Sequence, residues 1–212
     1  MSHQLPPAMF LADSRGLDFL NSVAVPADVE VEWLASGEDL LAWLQAAGLV
    51  GADVIQQIRN MSKPAELDAV AAKARSLREW FRGFVNDHRG QPLTRKAVTE
   101  LEPLNQLLAR DEEFNQIAPS AKGEEGGGDS ALQLVLQRRW HSSEALLLPV
   151  AKAIAQLLTT ADFADVKHCE GPACTLHFLD TTRGRRRRWC SMAVCGNRAK
   201  QAAHRGRLGA QS

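Results

Sequence analysis

Apolar side chains recur at steps of three and four residues along most of the first 160 positions, a pattern typical of amphipathic helices. The predicted helices cover residues 14–24, 36–48, 52–60, 64–85, 94–110 and 142–160. The clearest is 64–85, where Pro64 suits the first turn and Ser62 is the expected cap. Pro103 and Pro149 lie within two of the other segments and predict a kink or a split there.

A different pattern follows the fifth of these helices. Residues 112–118 and 131–137 are short and suit strands, and the polar, glycine-rich stretch AKGEEGGGDS lies between them. The two segments therefore predict a β-hairpin. The expected fold class of this part is mainly α with a small β element, an α+β domain.

Length and composition exclude several classes of protein. The chain has 212 residues, 45% of them apolar, which is enough to bury a core and argues against a wholly disordered chain. We expect no membrane span, because no apolar run approaches about 18–20 residues, and the start lacks the features of a secretory signal, so a cytoplasmic location is expected. Without a phosphate-binding loop, G-x-S-x-G or H-E-x-x-H, nothing makes a positive case for an enzyme.

The net charge of zero conceals a strong asymmetry along the chain. Residues 167–212 hold ten Lys and Arg against two acidic residues, a net charge of +8, and residues 1–166 carry −8. All four cysteines fall in the basic part. This division predicts two domains, an acidic one over 1–163 and a basic one over 164–212.

The four cysteines are arranged as two close pairs. They follow the spacing Cys169-x4-Cys174-x15-Cys190-x4-Cys195, and such pairs build tetrahedral thiolate sites. Four thiolates favour Zn²⁺ in a closed, structural site. An iron–sulfur centre and four buried free thiols are the alternatives, and His168 and His177 are expected not to be ligands.

Around the cysteines, the sequence predicts a turn between the first pair, a hairpin over 175–189 and a final helix from Ala199, which is a small treble-clef-like zinc finger. Basic and amide side chains on this scaffold suit phosphates and base edges. The candidate nucleic-acid-binding residues are Arg183, Arg185, Arg186, Arg187, Arg188, Asn197, Arg198, Lys200, Gln201, His204 and Arg205. A solvated surface is the alternative, and charge alone does not separate DNA from RNA.

Residues 187–200, RRWCSMAVCGNRAK, closely resemble the signature of the CGNR zinc finger family. The stretches LDFLNS (17–22) and DLLAWL (39–44) are similar to the ABATE domain that precedes this finger. The resemblance implies a bacterial, stress-induced transcription regulator that binds DNA. It also implies that Cys169, Cys174, Cys190 and Cys195 are the zinc ligands.

Other polar residues leave alternatives open. Asp18 and Asn21 lie three apart on a predicted helix and either line a ligand pocket or bond to an adjacent loop. Asn197 either caps the last helix or contacts DNA. A lone finger buries only about 600–1,000 Å² on DNA, so we expect a homodimer or a second DNA-binding partner. The acidic domain would sense a small-molecule effector or mediate this association; the competing readings are an RNA-binding protein and a protein-interaction module.

Overall fold

The computed structural model describes residues 5–25, 29–120 and 132–201. Its α-helices are α1 (Arg15–Leu20), α2 (Gly37–Ala46), α3 (Ala52–Met61), α4 (Pro64–His88), α5 (Glu102–Leu108) and α6 (Leu147–Thr160). Its strands are β1 (Val23–Ala24), β2 (Val31–Glu32), β3 (Glu113–Pro119), β4 (Leu132–Arg138), β5 (Val166–His168) and β6 (His177–Leu179), which form three antiparallel pairs. The predicted fold class, mainly α with a small β element, is confirmed. In the part of the chain described, no helix combines the length and the apolar character needed to cross a bilayer.

Local signals in the sequence set several helix boundaries. The Ser36 hydroxyl accepts from the Asp39 N–H at 3.2 Å, and the Asp39 carboxylate accepts from the Ser36 N–H at 3.0 Å. This reciprocal capping box begins α2, which lies within the predicted helix 36–48. At the start of α4 the N-cap is Lys63, one residue after the expected Ser62, and its N–H donates to the Glu66 carboxylate at 3.0 Å. Proline at the first helical position fixes this start.

Both internal prolines split their segments as predicted. A 3-10 helix over Arg95–Leu101 precedes α5, and Pro103 lies in the first turn of α5. Likewise, a 3-10 helix over Ser143–Leu146 precedes α6, with Pro149 in its first turn. The missing proline N–H is tolerated in a first turn, where no intrahelical acceptor is available.

The short helix α1 lies at the centre of the core and contacts α4, α6 and β6. Leu17, Phe19 and Leu20 are fully buried. A Cβ on Gly16 would lie 3.0 Å from the Ala153 carbonyl oxygen, so glycine permits the close approach of α1 to α6. The helix is shorter than the predicted 14–24, because Val23–Ala24 pairs with β2 instead. One core therefore supports both the N-terminal part and the first strand after the cysteine turn.

The predicted hairpin over 112–118 and 131–137 is confirmed as β3 and β4. Its register pairs Ile117 with Leu134 and Asn115 with Leu136. Because side chains alternate along a strand, one face carries Ile117, Leu132, Leu134 and Leu136. These four side chains are 55–68% exposed. The hairpin thus presents an uncovered apolar face.

The zinc-finger part differs from the prediction in its strand pairing. A hairpin was expected within residues 175–189, but β6 pairs with β5, with His168 opposite His177. Residues 180–191 contain no strand. The Cys169 N–H donates to the Leu176 carbonyl oxygen at 2.9 Å, so the ladder extends to the first cysteine turn. The backbone of β6 makes its ladder hydrogen bonds with β5. Residues 180–191, which follow β6, are held by side-chain contacts instead.

Candidate zinc site and basic surface

The four cysteines meet although they lie in three separate loops. Cys169 and Cys174 flank the connection between β5 and β6, Cys190 ends the arginine-rich loop, and Cys195 lies in a single π-helical turn over Met192–Gly196. Their sulfur atoms all lie within 4.8 Å of one another. Cys169, Cys190 and Cys195 are buried, and Cys174 is half-buried. The described residues thus provide four sulfur donors around one point.

The first cysteine turn is shaped for close packing around the sulfurs. A Cβ on Gly171 would lie 2.9 Å from the Cys195 Sγ, and Ala173 adopts the left-handed conformation with φ of 59°. The backbone N–H groups of Gly171 and Cys190 donate to the Cys169 Sγ, at 3.4 and 3.2 Å. Such bonds hold a metal-ligating sulfur in place.

The electrostatic interactions among the four cysteine sulfurs favour a bound cation. A hydrogen bond from Cys190 lowers the pKa of Cys174 to about 5. The same bond, burial and the charge on Cys174 raise the pKa of Cys190, and burial raises that of Cys195 to about 12. Four thiolates cannot coexist so closely unless a dication neutralises them. Zn²⁺ fits this donor set, and four protein ligands leave no open position for water or substrate.

Asp180 organises the arginine-rich loop that follows β6. Its fully buried carboxylate accepts hydrogen bonds from Lys167 Nζ at 2.7 Å, Thr182 Oγ1 at 2.5 Å and the Arg187 N–H at 2.9 Å. Burial by itself raises the pKa of Asp180, but these donors outweigh it and lower that pKa. The carboxylate therefore holds the loop in shape as an anion.

Arg187 fastens the same loop to the N-terminal part. Its guanidinium donates to the Leu11 carbonyl oxygen at 2.8 Å and the Trp189 carbonyl oxygen at 3.0 Å, and pairs with Asp13. It also lies 4.3 Å from the centre of the Phe178 ring. With its side chain 19% exposed, Arg187 is engaged inside the protein.

The other loop arginines divide into two groups. Arg185 pairs with Asp165 at 3.1 Å, and Arg188 pairs with Glu170 at 2.5 Å. Arg183 and Arg186 are exposed and have no hydrogen-bond or ion-pair partner for their side chains among the described residues. The loop thus presents cations at its tip, while its neighbouring arginines are engaged with acidic side chains.

The last helical segment follows Cys195 directly. Ser191 caps the turn, since its hydroxyl accepts from the Ala193 N–H at 3.2 Å. Asn197, for which helix capping and DNA contact are the two alternatives, donates its side-chain amide to the Ala193 carbonyl oxygen at 3.3 Å. Asn197, Arg198, Lys200 and Gln201 are exposed. The predicted contact residues His204 and Arg205 lie outside the described residues.

Asp18 and Asn21 both bond to neighbouring backbone. Asp18 is buried and accepts from the Ala12 N–H at 3.1 Å. Asn21 donates to the His177 carbonyl oxygen at 2.8 Å and accepts from the His177 N–H at 2.9 Å. The two parts of the chain are therefore clamped together through Asn21. Their suggested role in ligand binding stays a prediction.

Comparison with family models identifies both parts of the chain. Residues 13–161 match the ABATE family, described as "putative stress-induced transcription regulator", and because this match covers most of the sequence, the chain belongs to that family. Residues 166–208 match the CGNR zinc finger. No curated protein matches the chain. With the four clustered sulfurs, the finger match confirms structural zinc as the cofactor.

Proposed function

We propose that this regulator binds DNA through the basic surface of its zinc finger, defined here as Arg183, Arg186, Arg198 and Lys200. The observation that carries the proposal is that some loop arginines form ion pairs within the protein and others do not. Arg185, Arg187 and Arg188 are paired with acidic residues, whereas Arg183 and Arg186 are exposed without a side-chain partner in the described structure. Exposed guanidinium groups on a metal-fixed loop suit phosphate contacts.

The closed metal site supports a binding function over catalysis. Its four sulfur ligands leave no coordination position for a reacting group. Zinc would then act by holding the arginine-rich loop and the segment 197–201 in a fixed relation. We therefore expect DNA affinity to depend on zinc even though the metal does not touch DNA.

Fluorescence anisotropy with duplex DNA over a series of salt concentrations tests the proposal. The variant Arg183→Ala/Arg186→Ala should bind more weakly, and the slope of log affinity against log salt should fall by about 2, because each phosphate contact contributes about 0.9. Arg95→Ala/Lys96→Ala is the matched control, since it removes the same charge from exposed positions in the N-terminal part. Its slope should equal that of the wild type.

Three results would contradict the DNA-binding proposal. They are the absence of duplex DNA binding by zinc-loaded protein at low salt, an equal loss of affinity in the two double variants, and displacement of DNA by structured RNA at lower concentrations. Chelator-treated protein supplies the remaining comparison, and undiminished affinity there would refute the role given to zinc.

We also propose that the β3–β4 hairpin mediates self-association. Its exposed apolar patch, Ile117, Leu132, Leu134 and Leu136, lies on the same face as Asn115 and the paired charges Glu113 and Arg138 at the base of the hairpin. A second copy of the same face needs no complementary charge, and a two-fold axis would pair like with like. Such a dimer would also supply the second finger that a small DNA interface requires.

Light scattering after gel filtration tests this association. The wild type should be a dimer at micromolar concentration, and Leu134→Lys should be a monomer. Gln133→Lys is the matched control, because Gln133 lies next to Leu134 on the opposite face and is also exposed. A monomeric wild type, or equal dissociation by both variants, would overturn the proposal.

A further inference from the structure

A cleft of about 590 Å³ lies at the junction of the two parts of the chain. Its walls come from the β1–β2 region, from one side of α4 and from residues of the zinc-finger part that include His168, Thr175 and His177. A volume of this size suits a small organic molecule. The predicted ligand residues Asp18 and Asn21 do not line this cleft.

His177 in this cleft is a buried polar side chain with no internal partner. It is 3% exposed, and neither ring nitrogen has a hydrogen-bond partner. The ring of His168 lies 5.0 Å from the ring of His177, centre to centre, in an edge-on arrangement. Buried polar atoms in native proteins are almost always hydrogen-bonded, and an unmet one signals a missing ligand or water.

The arginines on the α4 wall differ in how far they are engaged. Arg78 is buried and binds the Glu32 carboxylate through two bonds, at 2.6 and 2.7 Å. Arg82 donates to the Leu20 carbonyl oxygen at 2.6 Å and pairs with Glu79 at 3.0 Å. These two cations and two carboxylates neutralise one another.

Arg89 on the same wall is not engaged in this way. It is exposed, and its guanidinium has no hydrogen-bond or ion-pair partner among the described residues. Glu30 lines another part of the cleft and is likewise exposed. Arg89 therefore offers a fork for one carboxylate, while the charge of Glu30 disfavours a second anionic group.

We propose that this cleft binds a small organic monocarboxylate, with its carboxylate on the Arg89 guanidinium and a polar oxygen on a ring nitrogen of His177. The proposal gives a ligand to the sensing role expected of the N-terminal part. Its biological purpose rests on the proposed regulator function, whereas the experiment below measures ligand binding alone. Such a ligand would contact both parts of the chain, so its binding would stabilise their docked arrangement.

The surroundings of His177 set its protonation state. Burial lowers the pKa of His177 to about 3, with further lowering by the nearby charges of His168, Arg89 and Arg82. His177 is thus a neutral imidazole. A neutral imidazole offers one donor and one acceptor.

Ligand titration followed by the NMR signals of the His177 ring tests the proposal on the full-length, zinc-loaded protein. The probes are gluconate and lactate, and sorbitol and lactamide are their uncharged counterparts. The two carboxylates should shift the His177 signals saturably, and the uncharged compounds should not. Arg89→Ala should weaken carboxylate binding about tenfold, as expected for the loss of a charged hydrogen bond. Arg95→Ala, an exposed arginine outside the cleft, should leave it unchanged.

A second variant tests the unmet hydrogen bonds without any ligand. His177→Phe keeps a planar ring but removes both nitrogens, so the ligand-free protein should melt at a higher temperature while carboxylate binding is lost. Zinc content serves as the control for the integrity of the finger. A lower melting temperature would show that the ring nitrogens have partners after all and would overturn the proposal.

The proposal is also overturned if no carboxylate shifts the His177 signals, if the uncharged probes bind equally well, or if Arg89→Ala binds like the wild type. No arm of the experiment uses nucleic acid. A failure here would therefore leave the DNA-binding proposal standing, and a failure of DNA binding would leave the cleft intact.

Discussion

Arg187 offers a decisive test of which arginines shape the protein and which contact a partner. In the variant Arg187→Ala, the carbonyl oxygens of Leu11, Trp189 and Cys190 lose a charged donor, and Asp13 loses its counter-ion. Each buried acceptor left unpaired costs about 1 kcal/mol or more. The three carbonyls together therefore predict a loss of about 3 kcal/mol in the free energy of unfolding.

This loss should be visible as a lower melting temperature. For a chain of this length, 1 kcal/mol corresponds to about 2–4 °C, so Arg187→Ala should melt about 6–12 °C below the wild type. Arg187→Lys keeps the charge but not the planar fork of donors, so it should recover only part of the difference. Differential scanning calorimetry of zinc-loaded protein gives the measurement.

Arg186→Ala is the matched control, because Arg186 is the neighbouring arginine and its side chain has no partner in the described structure. It should melt within about 1 °C of the wild type, as surface substitutions generally do. A structural role for Arg187 would be contradicted if Arg187→Ala were as stable as Arg186→Ala and weakened DNA binding by the same factor. That result would place the Arg187 guanidinium on the nucleic acid rather than against Leu11.

The remaining predictions concern the metal, one helix contact and one buried acid. Chelation or Cys174→Ser should remove zinc, as measured by atomic absorption. The melting temperature of the whole chain should then fall, because β6 packs on α1, and an unchanged melting temperature would contradict this. In urea denaturation, Gly37→Ala should destabilise the protein by about 2 kcal/mol, since a Cβ there would lie 2.6 Å from the Leu67 backbone carbon. Gly83→Ala is the contrasting variant: its Cβ would have nothing within 4 Å, so it should stabilise α4 by up to about 1 kcal/mol. Burial raises the pKa of Asp18 despite its hydrogen bonds, so its contribution to stability is greatest below the unfolded-state pKa of about 4 and is lost as the pH rises through the folded-state pKa. The stability of wild type relative to Asp18→Asn should accordingly fall with rising pH, and a parallel pair of curves would count against this interpretation.

The elements that the sequence predicted well are those controlled by near neighbours. The start of α2 after Ser36, the splits at Pro103 and Pro149 and the hairpin of β3 and β4 each depend on residues close together in the chain. The prediction of strand pairing in the zinc-finger part was wrong. β6 pairs with β5 rather than with the arginine-rich segment, and nothing in the local pattern of residues 175–189 distinguishes those outcomes.

The candidate site divides in the same way. The sequence by itself determined the four zinc ligands, because paired cysteines at short spacing can reach one point on tight turns. It also determined that positive charge gathers around them. The tertiary structure alone decided which polar side chains bond within the protein. Arg187 donates to the Leu11 carbonyl oxygen, 176 positions away, and Asn21 donates to the His177 carbonyl oxygen, 156 positions away.

The cleft beside His177 belongs wholly to the tertiary structure. Its lining joins one side of α4 to a strand that follows the cysteine turn, and neither segment shows by itself that a histidine will be buried without a partner. Periodicity, caps and ligand spacing act over a few residues and can be read along the chain. The hydrogen bonding of a buried polar group depends on atoms that only folding brings close. The sequence therefore determined most of the helices, the β3–β4 hairpin and the zinc site, and packing decided which polar groups were left without a partner.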